Sequence, residues 1–600
     1  MSEVLAEQVT HMGATVDETG VTFRVWAPHA SQVFVIGTFN NWDETSHPLE
    51  SEEGGKWSAL VSDAKIGDEY RYLIHNGDQK LSRIDPYTRE VTNSVGNGVI
   101  SNLAFDWKDD DFEQYPVNEI VIYELHIGTF GKSGQEGKPA GFDEAINDLD
   151  YLEKLGVNCI EVMPIAEFAG DLSWGYNPAH IFAVESAYGG PAKFKQFIRE
   201  AHRRGIAVIL DVVYNHFGPS DVDMWQFDGW SENGMGGIYF YNDWRAETPW
   251  GNSRPDYGRE EVRQMIHDNA MMWLEEFHLD GLRYDMTLFI RNVKGNGDVG
   301  CDLPDGWSLV QWVNTSIRER FPKKLTIAED LQNNDYLTKT SEHGGAAFHA
   351  QWDARFVHPI REAVILSEDA HRNMDAVRAA IEANYNGNPF QRVVYSESHD
   401  EVANGKARVT SEVMGNDPQH YFAQKRSTLA AGIVFTSPGV PMIFQGQEFL
   451  EDEWFRDTVP LDWNKSETFS GIVQMYRDLI KLRLNRAGTT RGLTGSGLSI
   501  LLQDNERNLI SYHRWYEHGI NDDVVVVASF QNQAHTASFS FPTAGKWKCV
   551  FNSDSKFYST KFQNTPSHDL EVKTGTDGVA SAEVTIGPYT VLVYSLSEMT

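Results

Sequence analysis

Apolar and polar residues alternate through the first hundred positions, as in Val21-Thr22-Phe23-Arg24-Val25-Trp26, Val33-Phe34-Val35-Ile36 and Tyr70-Arg71-Tyr72-Leu73-Ile74. A period of two, broken by Pro, Gly and Asn, predicts antiparallel strands with one buried face and hence a β-sandwich. The acidic run Lys108-Asp109-Asp110-Asp111 ahead of Pro116 reads as a linker. From about Val117 the rhythm changes. Ile120-Val121-Ile122-Tyr123-Glu124-Leu125 reads as a buried strand, and Phe142, Ile146, Leu149 and Leu152 then recur at helical spacing. Val157 to Met163 is strand again; Phe194, Phe197, Ile198 and Ala201 line a helix closed by Gly205, and Ile206 to Leu210 follows as strand. Repeated strand–helix units without a dinucleotide fingerprint in the first turn predict a closed TIM (β/α)8 barrel in an α/β chain. Past the helix that holds Met475, Tyr476, Leu479 and Leu482, alternation returns in Asp523 to Val527 and Tyr589 to Tyr594, which predicts a C-terminal β-sandwich.

The expected domains are therefore residues 1–112, an N-terminal β-sandwich; 113–490, the barrel; and 491–600, an all-β domain. A Gly- and Trp-rich insertion at about 217–258 interrupts the barrel and carries Trp225, Trp230, Trp244 and Trp250. A connection that long inside a barrel reads as functional.

Charge narrows the partners. A formal net charge of −35 repels phosphate backbones and anionic lipid heads, so neither nucleic acid nor a membrane surface is the expected partner. A neutral polymer fits better, since 12% of residues are aromatic, 17 of them Trp, and indole faces stack on sugar rings. The three cysteines, Cys159, Cys301 and Cys549, are too few and too scattered for a disulfide framework or a cysteine metal site. The first residues lack the basic head and apolar core of a signal peptide, and no run is long and apolar enough to span a bilayer, so a reducing cytoplasm is the expected compartment.

Three acids, Asp285, Glu329 and Asp400, each follow a short apolar or strand-like run and precede a break. That placement suits the catalytic rim of a barrel, although a strand-end acid often serves only as the cap of the next helix. Cleaving a glycosidic bond needs one carboxyl to protonate the leaving oxygen and another to attack or shield the oxocarbenium-like carbon. In a strand Arg283 and Asp285 share one face, and the fixed cation is expected to hold Asp285 ionised as a nucleophile requires. Glu329 follows the apolar run Leu325 to Ala328, where desolvation suits a general acid. Asp400 beside His399 could grip sugar hydroxyls. Asp211, ahead of Val212-Val213-Tyr214-Asn215-His216, reads alone as a structural hydrogen-bonder.

No cofactor is expected. Gly295-Asn296-Gly297-Asp298-Val299-Gly300 has dinucleotide-loop spacing, yet it follows a loop and runs into Pro304. Asn215 and the acidic loop around Asp221 and Asp223 are candidates for calcium, but their spacing is irregular and no metal is expected there.

In order, Asp211 to His216, Gly281 to Asp285, Glu329, and His399-Asp400 resemble the four signature segments of the α-amylase superfamily, glycoside hydrolase family 13. The resemblance spans essentially the whole chain. It implies Asp285 as nucleophile, Glu329 as acid/base and Asp400 as transition-state stabiliser, with Arg283, His216 and His399 supporting the cleavage subsite. Tyr176, in Ser173-Trp174-Gly175-Tyr176-Asn177-Pro178, matches the tyrosine on which the family stacks the sugar being cleaved, and Trp174 and Asp211 join it as expected substrate contacts. The loop Thr38-Phe39-Asn40-Asn41-Trp42 resembles that of the N-terminal modules of glycogen- and starch-modifying enzymes, which makes Trp42 a candidate remote glucan contact. Within the superfamily the chain points two ways. Tyr123 to Phe130, Tyr188-Gly189-Gly190-Pro191 and Val213 to Pro219 are similar to maltooligosyltrehalose trehalohydrolases. Ser398-His399-Asp400-Glu401-Val402, Phe444 to Phe449 and Pro460-Leu461-Asp462-Trp463 are similar to glycogen branching enzymes, although Asp330-Leu331 stands where those carry Glu-Ser. The segment around Asp400 borders the cleaved bond, so branching is the preferred expectation, with Glu401 a substrate contact and an α-1,4-glucan (glycogen, starch or maltooligosaccharide) the implied partner.

Overall fold

The computed structural model describes residues 11–108 and 110–599. The N-terminal module is a sandwich: one sheet holds Gly13–Asp17, Gly20–Trp26, Lys56–Val61 and Glu50–Ser51, the other Gln32–Gly37, Glu69–Asn76, Gln79–Arg83 and Gly98–Val99. Alternation explains it, since Val21, Phe23 and Val25 point inward to meet Val33, Val35, Tyr72 and Ile74 in one core. The segment read as a linker is strapped to the barrel instead of hanging free. Trp107 stacks on His278, Phe112 stacks on His202, and His202 Nδ1 lies 2.8 Å from Asp110 Oδ2; Asp109 lies outside the described residues.

Eight parallel strands close a barrel: β1 (Ile122–Leu125), β2 (Cys159–Val162), β3 (Ala207–Val212), β4 (Gly281–Tyr284), β5 (Leu325–Ala328), β6 (Ala350–Trp352), β7 (Arg392–Val394) and β8 (Val440–Phe444), with β8 pairing back onto β1. Every strand is buried on both faces, and the two faces belong to different cores. Ile122, Cys159, Ile209, Ile327, Trp352 and Met442 pack together inside the barrel, while Tyr123, Ile160, Leu210 and Leu282 pack outward in the core that the helices share. Because side chains alternate, the inward set continues two residues on from Ile122, Ile209 and Ile327 to Glu124, Asp211 and Glu329.

One of the helical units is missing. Between β5 and β6 the chain forms only the single turns Asp335–Leu337 and Ser341–His343. The carbonyls that a helix would have bonded internally are taken by side chains of the preceding helix Pro304–Arg320: Gln311 donates to Gly345 O, Asn314 to Ala346 O, and Arg318 to Ala347 O and Phe348 O.

The insertion after β3 docks onto the N-terminal sandwich. Arg71 Nη2 lies 2.7 Å from Asp223 Oδ2, Arg83 donates to Phe227 O and Gln226 O, Asn76 donates to Asp228 O, and His29 stacks on Trp230. Asp221 accepts from Ser94 Oγ at 2.9 Å. The acids weighed as calcium ligands thus serve as the acceptors that fasten the module to the barrel.

The C-terminal strands run in the order Gly497–Asp504, Leu509–Trp515, Val524–Ser529, Val591–Met599, Gly545–Asn552, Leu570–Thr574, Ala580–Ile586, His535–Ser540. One face, with Val525, Val527, Trp547 and Leu592, closes on itself; the other, with Val524, Val526 and Val591, joins the main core. Helix Tyr421–Thr436 lies beneath that second face and is buried from Ala423 to Thr436.

Candidate active site

Arg283, on β4, is fully buried and inward-facing. It pairs in register with Asp211 on β3, and its Nη1 reaches Asp211 Oδ2 at 2.5 Å and Asp285 Oδ1 at 3.3 Å. Its Nη2 lies 2.7 Å from Glu329 Oε2 as an ion pair without hydrogen-bond alignment. The guanidinium also sits 4.3 Å from the Trp352 ring centroid on β6. One cation therefore faces three carboxylates at the C-terminal ends of three neighbouring strands.

That sharing changes the electrostatics expected from sequence. Burial and the neighbouring Glu329 push the Asp285 carboxyl well above its ordinary range, and Arg283, divided among three acids, does not cancel the effect. Asn215 Nδ2 donates to Asp285 Oδ2 at 3.1 Å. Glu329 meets a polar setting instead of an apolar one, since Met286 N donates to its Oε2 at 3.0 Å beside the Arg283 ion pair. Burial lifts Asp211 to about 6, against Arg283 and the Tyr176 hydroxyl, which donates to Asp211 Oδ2 at 2.6 Å.

Tyr176 closes one side. Its ring stacks on His399 with centroids 4.9 Å apart. Gly175 ahead of it holds φ +91°, and a Cβ there would meet Pro164 O at 2.1 Å, so only glycine lets the Trp174–Tyr176 turn lie this close to the rim. Trp174 is half-buried and edge-on to His399 at 5.9 Å. His216 Nε2 lies 2.8 Å from Tyr176 O, its ring stacks on Trp250 of the insertion, and burial lowers it to about 4, so it is neutral. Its Nδ1 is buried without a partner.

His399 Nδ1 sits 2.5 Å from Glu124 Oε1, and Glu124 Oε2 accepts from His399 N at 3.0 Å. Burial opposes charging of this imidazole, but Glu124 prevails and raises it above its ordinary value. Neither Glu124 nor Trp352 was singled out in the sequence. The signal for Glu124 was an acid inside an otherwise apolar strand; Trp352 carried none, because a buried Trp is ordinarily core.

Two expected residues stand apart from the Arg283 cluster. Asp400 is half-buried in the turn beyond β7, where its Oδ1 accepts from Asn404 Nδ2 at 2.6 Å. Glu401 was expected to touch substrate, yet its carboxylate is engaged by Lys406 Nζ at 2.8 Å and Arg361 Nε at 3.4 Å. Trp42, half-buried on the N-terminal module, lies in the turn after Thr38–Asn40 with φ +61°, unusual for so bulky a residue, and its N donates to Gly37 O at 2.8 Å. A cavity of about 790 Å3 opens between that module and helix Glu260–Glu275, beside Tyr87, Arg89 and Phe182, and none of the site's carboxylates lines it.

Comparison with known proteins adds three family matches. Residues 11–88 match carbohydrate-binding module 48 (isoamylase N-terminal domain), residues 129–228 and 252–481 match the alpha amylase catalytic domain, and residues 500–597 match the alpha amylase C-terminal all-beta domain. The break in the catalytic match falls within the insertion. The chain is 30% identical over 574 residues to a 1,4-alpha-glucan branching enzyme of Oceanobacillus iheyensis, covering 89% of this chain and 86% of the relative. It is also 30% identical over 581 residues to the corresponding enzyme of Corynebacterium jeikeium, covering 91% and 78%. Among solved structures, a pullulanase type I from Bacillus subtilis str. 168 complexed with maltose shares the fold with a TM-score of 0.76 at 22% identity, over 98% of this chain and 85% of that one.

Proposed function

Because this chain belongs to the α-amylase family, we propose that it is a retaining 1,4-α-glucan branching enzyme, which cuts an α-1,4 bond and moves the freed chain to a 6-hydroxyl. The observation that carries the chemistry is the buried Arg283 guanidinium set between Asp285 at 3.3 Å and Glu329 at 2.7 Å. Transfer to a sugar hydroxyl, instead of water, is supported by relatives named as branching enzymes that match about nine-tenths of the chain.

Three buried carboxylates around one guanidinium favour keeping a proton among them. In the proposed first step that proton leaves through Glu329. Asp285 attacks the anomeric carbon, the bond from C1 to the bridging oxygen breaks, and Glu329 protonates that oxygen as it departs. A glycosyl ester on Asp285 results. In the second step Glu329, now a carboxylate, takes the proton of an incoming 6-hydroxyl, whose oxygen attacks C1 and releases Asp285. Atoms balance without water: one α-1,4 link becomes one α-1,6 link. Arg283 steadies whichever carboxylate is ionised, Tyr176 offers its ring to the sugar, and His399, oriented by Glu124, is assigned to hydrogen-bond sugar hydroxyls. Asp400, next to His399 in the turn beyond β7, is assigned to the hydroxyls that shift as the ring flattens. The N-terminal module is assigned to hold polymer through Trp42.

The test is the product formed from amylose. Proton NMR should show α-1,6 anomeric signals growing while reducing ends stay nearly constant. Short linear maltooligosaccharides with a matching rise in reducing ends would refute transfer, and rapid release of trehalose from maltooligosyl trehalose in place of new α-1,6 links would assign the chain to the hydrolases instead.

A further inference from the structure

Far from the barrel rim, the hairpin between strands Leu509–Trp515 and Val524–Ser529 brings together His513, His518 and Asp523. His513 Nε2 lies 2.7 Å and His518 Nδ1 2.9 Å from the same oxygen, Asp523 Oδ1, and one donor atom from each residue fits within a span of 4.8 Å. We propose that these three residues bind one borderline divalent cation, of the class of Zn2+, which clips the hairpin shut.

Donor chemistry selects the class. Two imidazoles and one carboxylate suit Zn2+, Co2+, Ni2+ or Cu2+, whereas Ca2+ and Mg2+ demand mostly oxygen. With metal–ligand bonds of about 2.0–2.1 Å, tetrahedral ligands stand roughly 3.3 Å apart. The two imidazole contacts to Asp523, at 2.7 and 2.9 Å, reach that spacing by opening about half an ångström, and the exposed His518 side chain is free to shift. A site also needs its ligands aimed. Gly519 N donates to Asp523 Oδ2 at 2.8 Å, which turns Oδ1 toward the two imidazoles. Trp515 stacks on both rings, at 4.6 Å to His513 and 4.7 Å to His518, and so fixes their planes. His513 and Asp523 are buried, while the His518 side chain is 57% exposed and leaves a path from solvent. Local charge favours a cation: Asp522 adjoins the triad and accepts from Tyr516 N and Glu517 N. Without a metal, Asp523 Oδ1 can bond both imidazoles only if each presents its N–H to that one oxygen. A dication satisfies all three atoms at once.

The test uses the full chain, stripped with a chelator and titrated with ZnCl2 by calorimetry near pH 7.5, alongside His518→Asn and Asp523→Asn. His518→Asn is the discriminating variant, because an exposed side chain can be exchanged without disturbing the core and Asn tolerates the left-handed backbone at this position, φ +70°. The native chain should take up one equivalent that each variant binds at least tenfold more weakly. Zinc should also raise the thermal midpoint of the native chain and not that of His518→Asn, with branching activity equal in both. Absence of a zinc equivalent in the native chain, or an isotherm unchanged by His518→Asn, would overturn the proposal.

Discussion

Arg283 sets the terms on which each neighbouring acid works. A guanidinium shared by Asp211, Asp285 and Glu329 cannot hold all three ionised in a buried site, so the cluster keeps a proton that isolated carboxylates would have lost. A nucleophile must be ionised, and burial raises Asp285 and carries Asp211 to about 6. The acid limb of kcat/KM should therefore lie above the usual aspartate range, because Asp285 must lose its proton against burial and Glu329; a limb near 4 would contradict the shared-cation picture. Asp285→Asn should abolish turnover while glucan binding persists, since an amide cannot form the glycosyl ester. Glu329→Gln should cost on the order of 10²- to 10⁴-fold in kcat on natural glucan. The loss in the first step should largely vanish on a maltosyl fluoride, whose leaving group needs no proton. Equal losses in the first step on both substrates, read from the burst of fluoride release and from single-turnover cleavage of glucan, would remove Glu329 from the acid role.

Strands and helices explain why some of this was legible and some not. Asp211, Arg283, Asp285 and Glu329 could be read because strand alternation is local: once the apolar runs are placed, the residue at the rim follows. Glu124 escaped because its partner, His399, lies 275 positions away, and nothing in Tyr123-Glu124-Leu125 reveals which strand will stand beside it. Asp400 was read as closing a strand, but β7 ends at Val394 and the acid lies in the turn beyond. The absent helix between β5 and β6 was equally hidden, because side chains of Pro304–Arg320 satisfy the backbone there, a non-local arrangement. Helix Tyr421–Thr436 shows the same effect, since its uniform burial comes from lying between barrel and C-terminal sheet. Lys425 on that helix pairs with Asp554 at 2.9 Å, both fully buried. Lys425→Met should leave the aspartate uncompensated and cost about 3–5 kcal/mol, seen as a lowered denaturation midpoint. The double change with Asp554→Asn should recover much of that loss, whereas additive effects would show that the pair is not coupled.

The three domains are joined by contacts that bear on function. The N-terminal sandwich grips the insertion through Arg71, Arg83, Asn76 and His29, and the same insertion carries Trp250, which stacks on His216 at the rim. Removing the whole module would loosen the insertion, so a single substitution tests its role more cleanly. Trp42→Ala should lower kcat/KM on long amylose by on the order of tenfold, through lost local concentration of polymer, and leave short maltooligosaccharides unaffected. A loss that is uniform across chain lengths would make Trp42 a structural residue. Transfer requires a covalent sugar carried by Asp285 between donor and acceptor. That intermediate can be weighed. Glu329→Gln treated with maltosyl fluoride should complete the first step and stall at the second for want of a base, so that rapid quenching, proteolysis and mass spectrometry find a maltosyl unit on the peptide containing Asp285. No adduct under these conditions, or an adduct on Asp211 or Asp400 instead, would contradict the account.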